Sequence, residues 1–235
     1  LFLVYRKNFF KSFYVSGLPG FIAGLFLSIG FAAYVFAMYK TTVANTNFII
    51  TTETIFLAGL GYFFLKEKIT LVTLISIILG MCGVLLILGS SLSIQSSDQF
   101  LGNIVAFIMP ISFAILVIIV RKYPNVDMVP AQFTAGVFAA FIGFLVADKI
   151  SISLHDIILA SLAGFFQIGF GFIFITLGSQ TTPAAVVGVL MLTESVFGPL
   201  WAWLFINEIP PFGVLIGGGI IIFSILLQTF LNKNQ

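Results

Sequence analysis

The 235-residue chain is 60% hydrophobic and 8% charged, with a net charge of +2 at pH 7, against roughly 25% charged in an ordinary soluble domain. That balance excludes a soluble globular domain and points to a polytopic membrane protein. A net charge so close to zero gives no electrostatic case for nucleic acid.

The chain opens with LFLVYRKNFFK, five residues before the first basic pair, too few to cross a bilayer, which takes about 20. Eight apolar runs of spanning length follow, at 17–39, 42–65, 69–89, 101–120, 128–147, 153–178, 183–206 and 210–231. Each predicts a helix, so the expected fold class is all-α integral membrane. The longest connection, Gly89–Gln99, is Ser-rich, carries no Lys or Arg, and reads as a linker between halves. Cys82 is the single cysteine and lies inside an apolar run, so there is no disulfide framework or metal-ligand cluster, and it reads as small core filling.

One stretch occurs twice. TTVANTNFIITTETIFLAGLGYFFLKE, at Thr41–Glu67, recurs 141 residues later as TPAAVVGVLMLTESVFGPLWAWLFINE, without a gap. The offset carries Thr52 onto Thr193, Glu53 onto Glu194, Phe56 onto Phe197 and Glu67 onto Glu208. It also carries Leu1–Tyr5 onto Ile142–Val146, so the chain is expected to begin inside a spanning helix of a longer protein. The expected organisation is a first repeat at 1–89 that lacks its first helix and most of its second, and a linker at 90–100. A complete second repeat follows at 101–231, then a tail at 232–235.

Orientation follows from the basic residues, which are retained on the cytoplasmic side. Alternate loops carry Arg6, Lys7, Lys11, Lys66, Lys68, Arg121, Lys122 and Lys233, and the others only Lys40 and Lys149. This bias places the C-terminus and the Lys66–Lys68 turn in the cytoplasm and the linker outside. The Glu53 and Glu194 helices then run in opposite senses, so the repeats are inverted, an arrangement that in transporters places the solute site near the midplane.

Each acid sits about 12 residues from its helix ends, or ~18 Å along the axis, in mid-bilayer. A carboxyl there must face protein or water, where it can exchange a proton or meet a cationic or amine-bearing solute, or else be held by a neighbouring helix. On the helical period Asn45, Thr52, Glu53 and Phe56 share one face, and Thr193, Glu194, Phe197 and Trp201 share its counterpart. Asn45 is expected to line a cavity above Glu53. Tyr34 is a candidate rim hydroxyl and Gln167 a polar insertion, each equally readable as interhelical glue. Pro199 leaves the carbonyl of Ser195 unbonded and is a candidate hinge or fixed bend, and Pro110 does the same to Ala106. Glu67 and Glu208 close their helices at a turn and read as structural, bonding loop amides and fixing the next helix. His155, beside Asp156, reads as a capping or interfacial residue.

The paired pattern of Thr-Thr, a small residue, an apolar run, Thr-Glu-x-x-Phe and a closing Glu resembles the drug/metabolite transporter superfamily and its EamA-type repeat. Ala58 stands where the second copy has Pro199, so the two central helices need not break alike. The resemblance implies about ten helices in two inverted five-helix units, about eight of them complete here. It also implies cytoplasmic termini, a central cavity, and amino acids or similar metabolites moved outward.

The sequence reading is a secondary transporter in a bacterial inner or plasma membrane. Its solute is small, neutral, zwitterionic or cationic and organic, moved by alternating access with proton coupling through Glu53 or Glu194. Expected partners are that solute and membrane lipid, with a homodimer left open; no cofactor is expected. A lipid flippase or scramblase, needing a groove open to the bilayer, is the alternative. An intramembrane enzyme is less favoured, because no HExxH, P-loop, GxSxG or paired intramembrane Asp is present. No Arg lies inside a span, which argues against phosphorylated sugars and nucleotide-sugars.

Overall fold

The structure, a computed structural model, describes residues 9–89, 96–147, 152–207 and 209–231. Seven helical stretches are long and apolar enough to cross a membrane, and a shorter apolar helix, Pro130–Val146, makes the eighth run. All eight runs expected from hydropathy are helical. Four of the eight begin at a Ser or Thr whose hydroxyl accepts a bond from an amide in the first turn: Thr42 from Asn45, Thr70 from Thr73, Ser96 from Gln99 and Ser153 from Asp156. Such caps satisfy donors that the helix itself leaves free.

The first helix, α1 (Phe9–Lys40), is bent at Gly17, whose φ of 55° and ψ of −154° are non-helical. Only glycine adopts that backbone cheaply, and Pro19 restarts the helix just beyond it. The spanning part therefore begins where the apolar run does.

Three spans are each split into two helices. They are α2 (Val43–Thr51) with α3 (Glu53–Leu65), α5 (Ser97–Ala106) with α6 (Ile108–Lys122), and α10 (Ala184–Met191) with α11 (Thr193–Ile206). The split at Phe107 follows from Pro110, which has no N–H and falls in the first turn of α6, where none is needed. The other two splits contain neither proline nor glycine. At each the chain tightens into an i→i+3 turn: Thr52 N bonds Ile49 O at 3.0 Å, and Leu192 N bonds Val189 O at 3.3 Å. Beside each turn a threonine hydroxyl competes for a helix carbonyl, Thr52 for that of Ile49 and Thr193 for that of Leu190. The expected break at Pro199 is not where the span divides: α11 runs through Pro199, and the division falls at Leu192, as it does at Thr52 in the copy without a proline.

The remaining elements are α4 (Leu71–Leu88), α7 (Pro130–Val146), α8 (Leu154–Leu162), a π-helical stretch (Ala163–Phe170), α9 (Gly171–Ser179) and α12 (Phe212–Leu231). Helix α1 packs on α7 and α6, and α4 packs along α12. At Gly83 and Gly217 the α4–α12 seam brings main chain against main chain, with Ile87 and Ile221 packed beside the crossing. A Cβ on Gly217 would stand 2.5 Å from the carbonyl oxygen of Gly83, and one on Gly83 2.7 Å from that of Gly217. A buried cluster including Ala23, Leu27, Leu57, Phe113, Leu116, Val117, Met128 and Ala184 joins α1, α3, α6, α7 and α10. Cys82 is exposed on the outer face of α4, not core, because Gly80, Gly83 and Val84 take the inward positions.

The twin spans run in opposite directions. The Thr41 end of the first lies against α5, where Thr41 Oγ1 bonds Asn103 Oδ1 at 2.7 Å and Lys40 pairs with Asp98 at 3.2 Å. Its other end, at Glu67, meets the start of the second, Ala184. Both spans finish in a left-handed residue, Lys66 at φ 56° and Asn207 at φ 57°. Glu208 lies outside the described residues.

Candidate functional site

Because the twins are antiparallel and each divides near its middle, their halves meet in two different ways. Helix α3 packs closely on α10: Thr54 Oγ1 donates to the carbonyl of Gly188 at 3.0 Å, and a Cβ on Gly61 would lie 3.1 Å from that of Ala184. The other halves, α2 and α11, barely touch. The divergence leaves a cavity of about 170 Å³ at the two breaks.

Asn47, Ile50 and Thr51 of α2, Glu53 at the head of α3, Met191, Leu192, and Glu194, Ser195, Gly198 and Pro199 of α11 form its wall, with Ile87 and Leu88 from the last turn of α4. Glu53 and Glu194 thus face one space and are close enough to interact electrostatically. Glu53 is 4% exposed. Among the described residues neither carboxyl makes a hydrogen bond or ion pair, and no Lys, Arg or His lines the cavity. Each acid sits in the first turn of its half-helix, where the helix dipole favours negative charge. The arrangement is an electronegative pocket that a proton or a cationic group can enter.

The residues singled out in the sequence lie in different places. Glu53, Glu194 and Pro199 line the cavity. Tyr34 is half-buried and lies within electrostatic reach of Glu194. The two acids are not equally enclosed: Glu53 is covered by the α3–α10 contact, whereas Glu194 is exposed on the side where α2 and α11 diverge. Asn45 does not line the cavity; its amide donates to Thr41 Oγ1 and Asn103 Oδ1, each at 3.1 Å. The expected face assumed an unbroken helix, and the turn at Thr52 rotates α2 against α3, bringing Asn47 and Thr51 to the cavity instead. Thr52 and Thr193 shape the breaks with their hydroxyls and do not line the space.

Phe56 packs against the core cluster. Phe197 and Trp201 stack on each other at 6.2 Å and are about half exposed, at 48% and 52%, away from the cavity wall. Gln167 is exposed on the π-helical stretch, which buries no residue. Among the described residues no group of three His, Cys, Asp or Glu could hold a metal ion.

The closed end carries a second cluster. Glu67 Oε1 accepts from Arg121 Nε at 2.8 Å and from Nη2, and Oε2 accepts from the Ala184 amide at 2.8 Å. Arg121 Nη1 also donates to the carbonyl of Gln180 at 3.2 Å. The left-handed Lys66 turns the chain so that Glu67 reaches across to the other repeat. A structural role for Glu67 was legible in its place at the end of a repeated span; its partner Arg121, 54 residues away, was not.

An all-helical multi-pass membrane protein with inverted repeats around an internal acidic cavity is the class that fold and site define. The chain belongs to the EamA-like transporter family, whose family model matches residues 1–89 and 99–230. It is 25% identical over 219 residues to an uncharacterized transporter of Clostridium kluyveri, spanning 89% of this chain and 70% of that protein. It is 26% identical over 184 residues to an uncharacterized transporter of Methanothermobacter thermautotrophicus, spanning 75% of this chain and 53% of that one. The chain thus spans between about half and about seven-tenths of these relatives. A solved crystal structure shares the fold with a TM-score of 0.81 at 16% identity, covering 92% of this chain and 77% of its own.

Proposed function

We propose that this membrane transporter is a secondary carrier that moves a small organic solute by alternating access. The solute is amino acid-like and neutral, zwitterionic or cationic, its amine or cationic group is received by Glu53 and Glu194, and protons exchange at the same carboxyls. One observation carries the reading: two acids without partners among the described residues share a cavity that is closed at the Arg121 end. A buried acid held only for structure would be expected to have a hydrogen-bond partner. The distribution of Lys and Arg supports a plasma-membrane orientation with the Arg121 end and the C-terminus in the cytoplasm. In that orientation the cavity faces outward.

A flippase would need polar residues spread along a groove facing lipid. Asn47, Thr51, Glu53 and Ser195 instead gather at one cavity. The test is uptake of a panel of amino acids and amines into proteoliposomes under an imposed pH gradient. Glu53→Gln and Glu194→Gln should each reduce pH-driven flux to background, and full flux in both variants refutes the role.

A further inference from the structure

A transporter that is closed at one end must open there, and the repeat shows where. Helices α2 and α10 start at equivalent positions of the two copies, but they are capped differently. Thr42 caps α2 with its own hydroxyl, whereas the equivalent residue before α10 is Pro183, which has no hydroxyl and makes no cap. The amide equivalent to the one Thr42 caps, that of Val186, bonds the Pro183 carbonyl within the turn, and the first amide, that of Ala184, reaches outside the helix to Glu67, from a span 117 residues earlier. The Ala184 amide therefore keeps that partner only while the seam between α3 and α10 is shut. Arg121 ties the same carboxylate to the carbonyl of Gln180, so three chain segments, at Glu67, Arg121 and Gln180–Ala184, are joined through one anion. Both ion-pair side chains are only 18% exposed, in reach of water yet sheltered enough for the pair to matter.

We propose that Glu67 and Arg121 are the gate of the closed end, and that the transport cycle breaks Glu67 away from both Arg121 and the Ala184 amide. The inference rests on the alternating-access reading and names the contact that must exchange. Below the gate, the seam is sealed by Thr54, Leu57, Ala58 and Gly61 against Ala184, Ala185 and Gly188. Small residues predominate on both sides, so the helices can part without extracting large side chains. Neither gate residue lines the solute cavity, so both act by holding helices in position.

The experiment uses Cys82→Ser protein in liposomes with a reporter cysteine at Thr54, which is 0% exposed between α3 and α10. A membrane-impermeant maleimide is applied from the Arg121 side. Adding Glu67→Gln or Arg121→Gln should speed labelling about tenfold by shifting the population toward the open end. Lys40→Gln, which breaks the ion pair at the opposite end, should leave the rate unchanged. In a second arm, Gly61→Cys with Ala184→Cys is oxidised to close the seam. Flux should fall to background and return on reduction, while a cysteine at Asn47 stays reactive throughout.

Unchanged labelling in both gate variants, or full flux in the cross-linked protein, overturns the gate. If labelling responds as expected but no panel solute moves in the unmodified protein, the gate stands and the solute reading falls. The cross-link arm substitutes neither Glu67 nor Arg121, and because a side chain at Gly61 comes within 3.2 Å of Glu67 Oε2, the reduced double-cysteine protein is the reference against which the oxidised flux is read, so the arm tests the gate even where a gate variant fails to fold.

Discussion

Glu53 gives the sharpest separation of function from architecture, through the change Glu53→Leu. The residue is 4% exposed, and its carboxyl, which borders the cavity, has no hydrogen-bond or ion-pair partner among the described residues. A buried polar group left unsatisfied costs about 1–3 kcal/mol. Leucine fills a similar volume without that cost, so the variant should be more stable by about 1–3 kcal/mol, less any loss of water contact within the cavity. For a chain of this length, about 2–4 °C per kcal/mol gives a rise of roughly 2–12 °C in apparent Tm. The assay is thermal unfolding in a mild detergent, followed by the fluorescence of Trp201 and Trp203, alongside pH-driven flux in liposomes. Leu57→Ala, at a fully buried position of the same helix, is the control and should lose about 2–5 kcal/mol. Stability should rise as flux disappears. A variant that unfolds at lower temperature than the parent would mean that Glu53 holds helices together, and the solute-site reasoning would be refuted.

Three further outcomes follow from the packing. Gly217→Val should lose about 1–3 kcal/mol, because its Cβ meets the Gly83 carbonyl across the α4–α12 seam; unchanged thermal unfolding would contradict that geometry. Gly17→Ala should lose about 1 kcal/mol through its positive φ alone, a shift measurable by the same unfolding assay with flux retained. Asn103→Ala removes the acceptor shared by Thr41 and Asn45 and should lower stability by about 1–2 kcal/mol, with proteoliposome flux keeping its pH dependence.

The spans, their inversion and the two acids were legible in the sequence because each is a one-dimensional signal. Apolar runs report crossings, and the offset between Glu53 and Glu194 reports duplication, which with the number of crossings between the copies gives the inversion. The breaks were not legible in the same way. At Thr52 and Leu192 the helix is interrupted by a backbone turn and a competing hydroxyl, with no proline or glycine to mark the place. Reading a single face through that turn put Asn45 where Asn47 belongs. Proline attracted attention to Pro199, although the copy carrying Ala58 divides as well. Arg121 escaped notice because a cation at a loop reads as topology until its partner in the other repeat is located.

The meeting of Gly83 with Gly217 bears on how two such halves can rock. At this crossing two peptide backbones meet directly, with Ile87 and Ile221 packed on either side. A turn through a small angle about it would carry those two isoleucines along, like washers on the pin of a pair of shears. Bulk added there would stiffen the joint before it disturbed either blade.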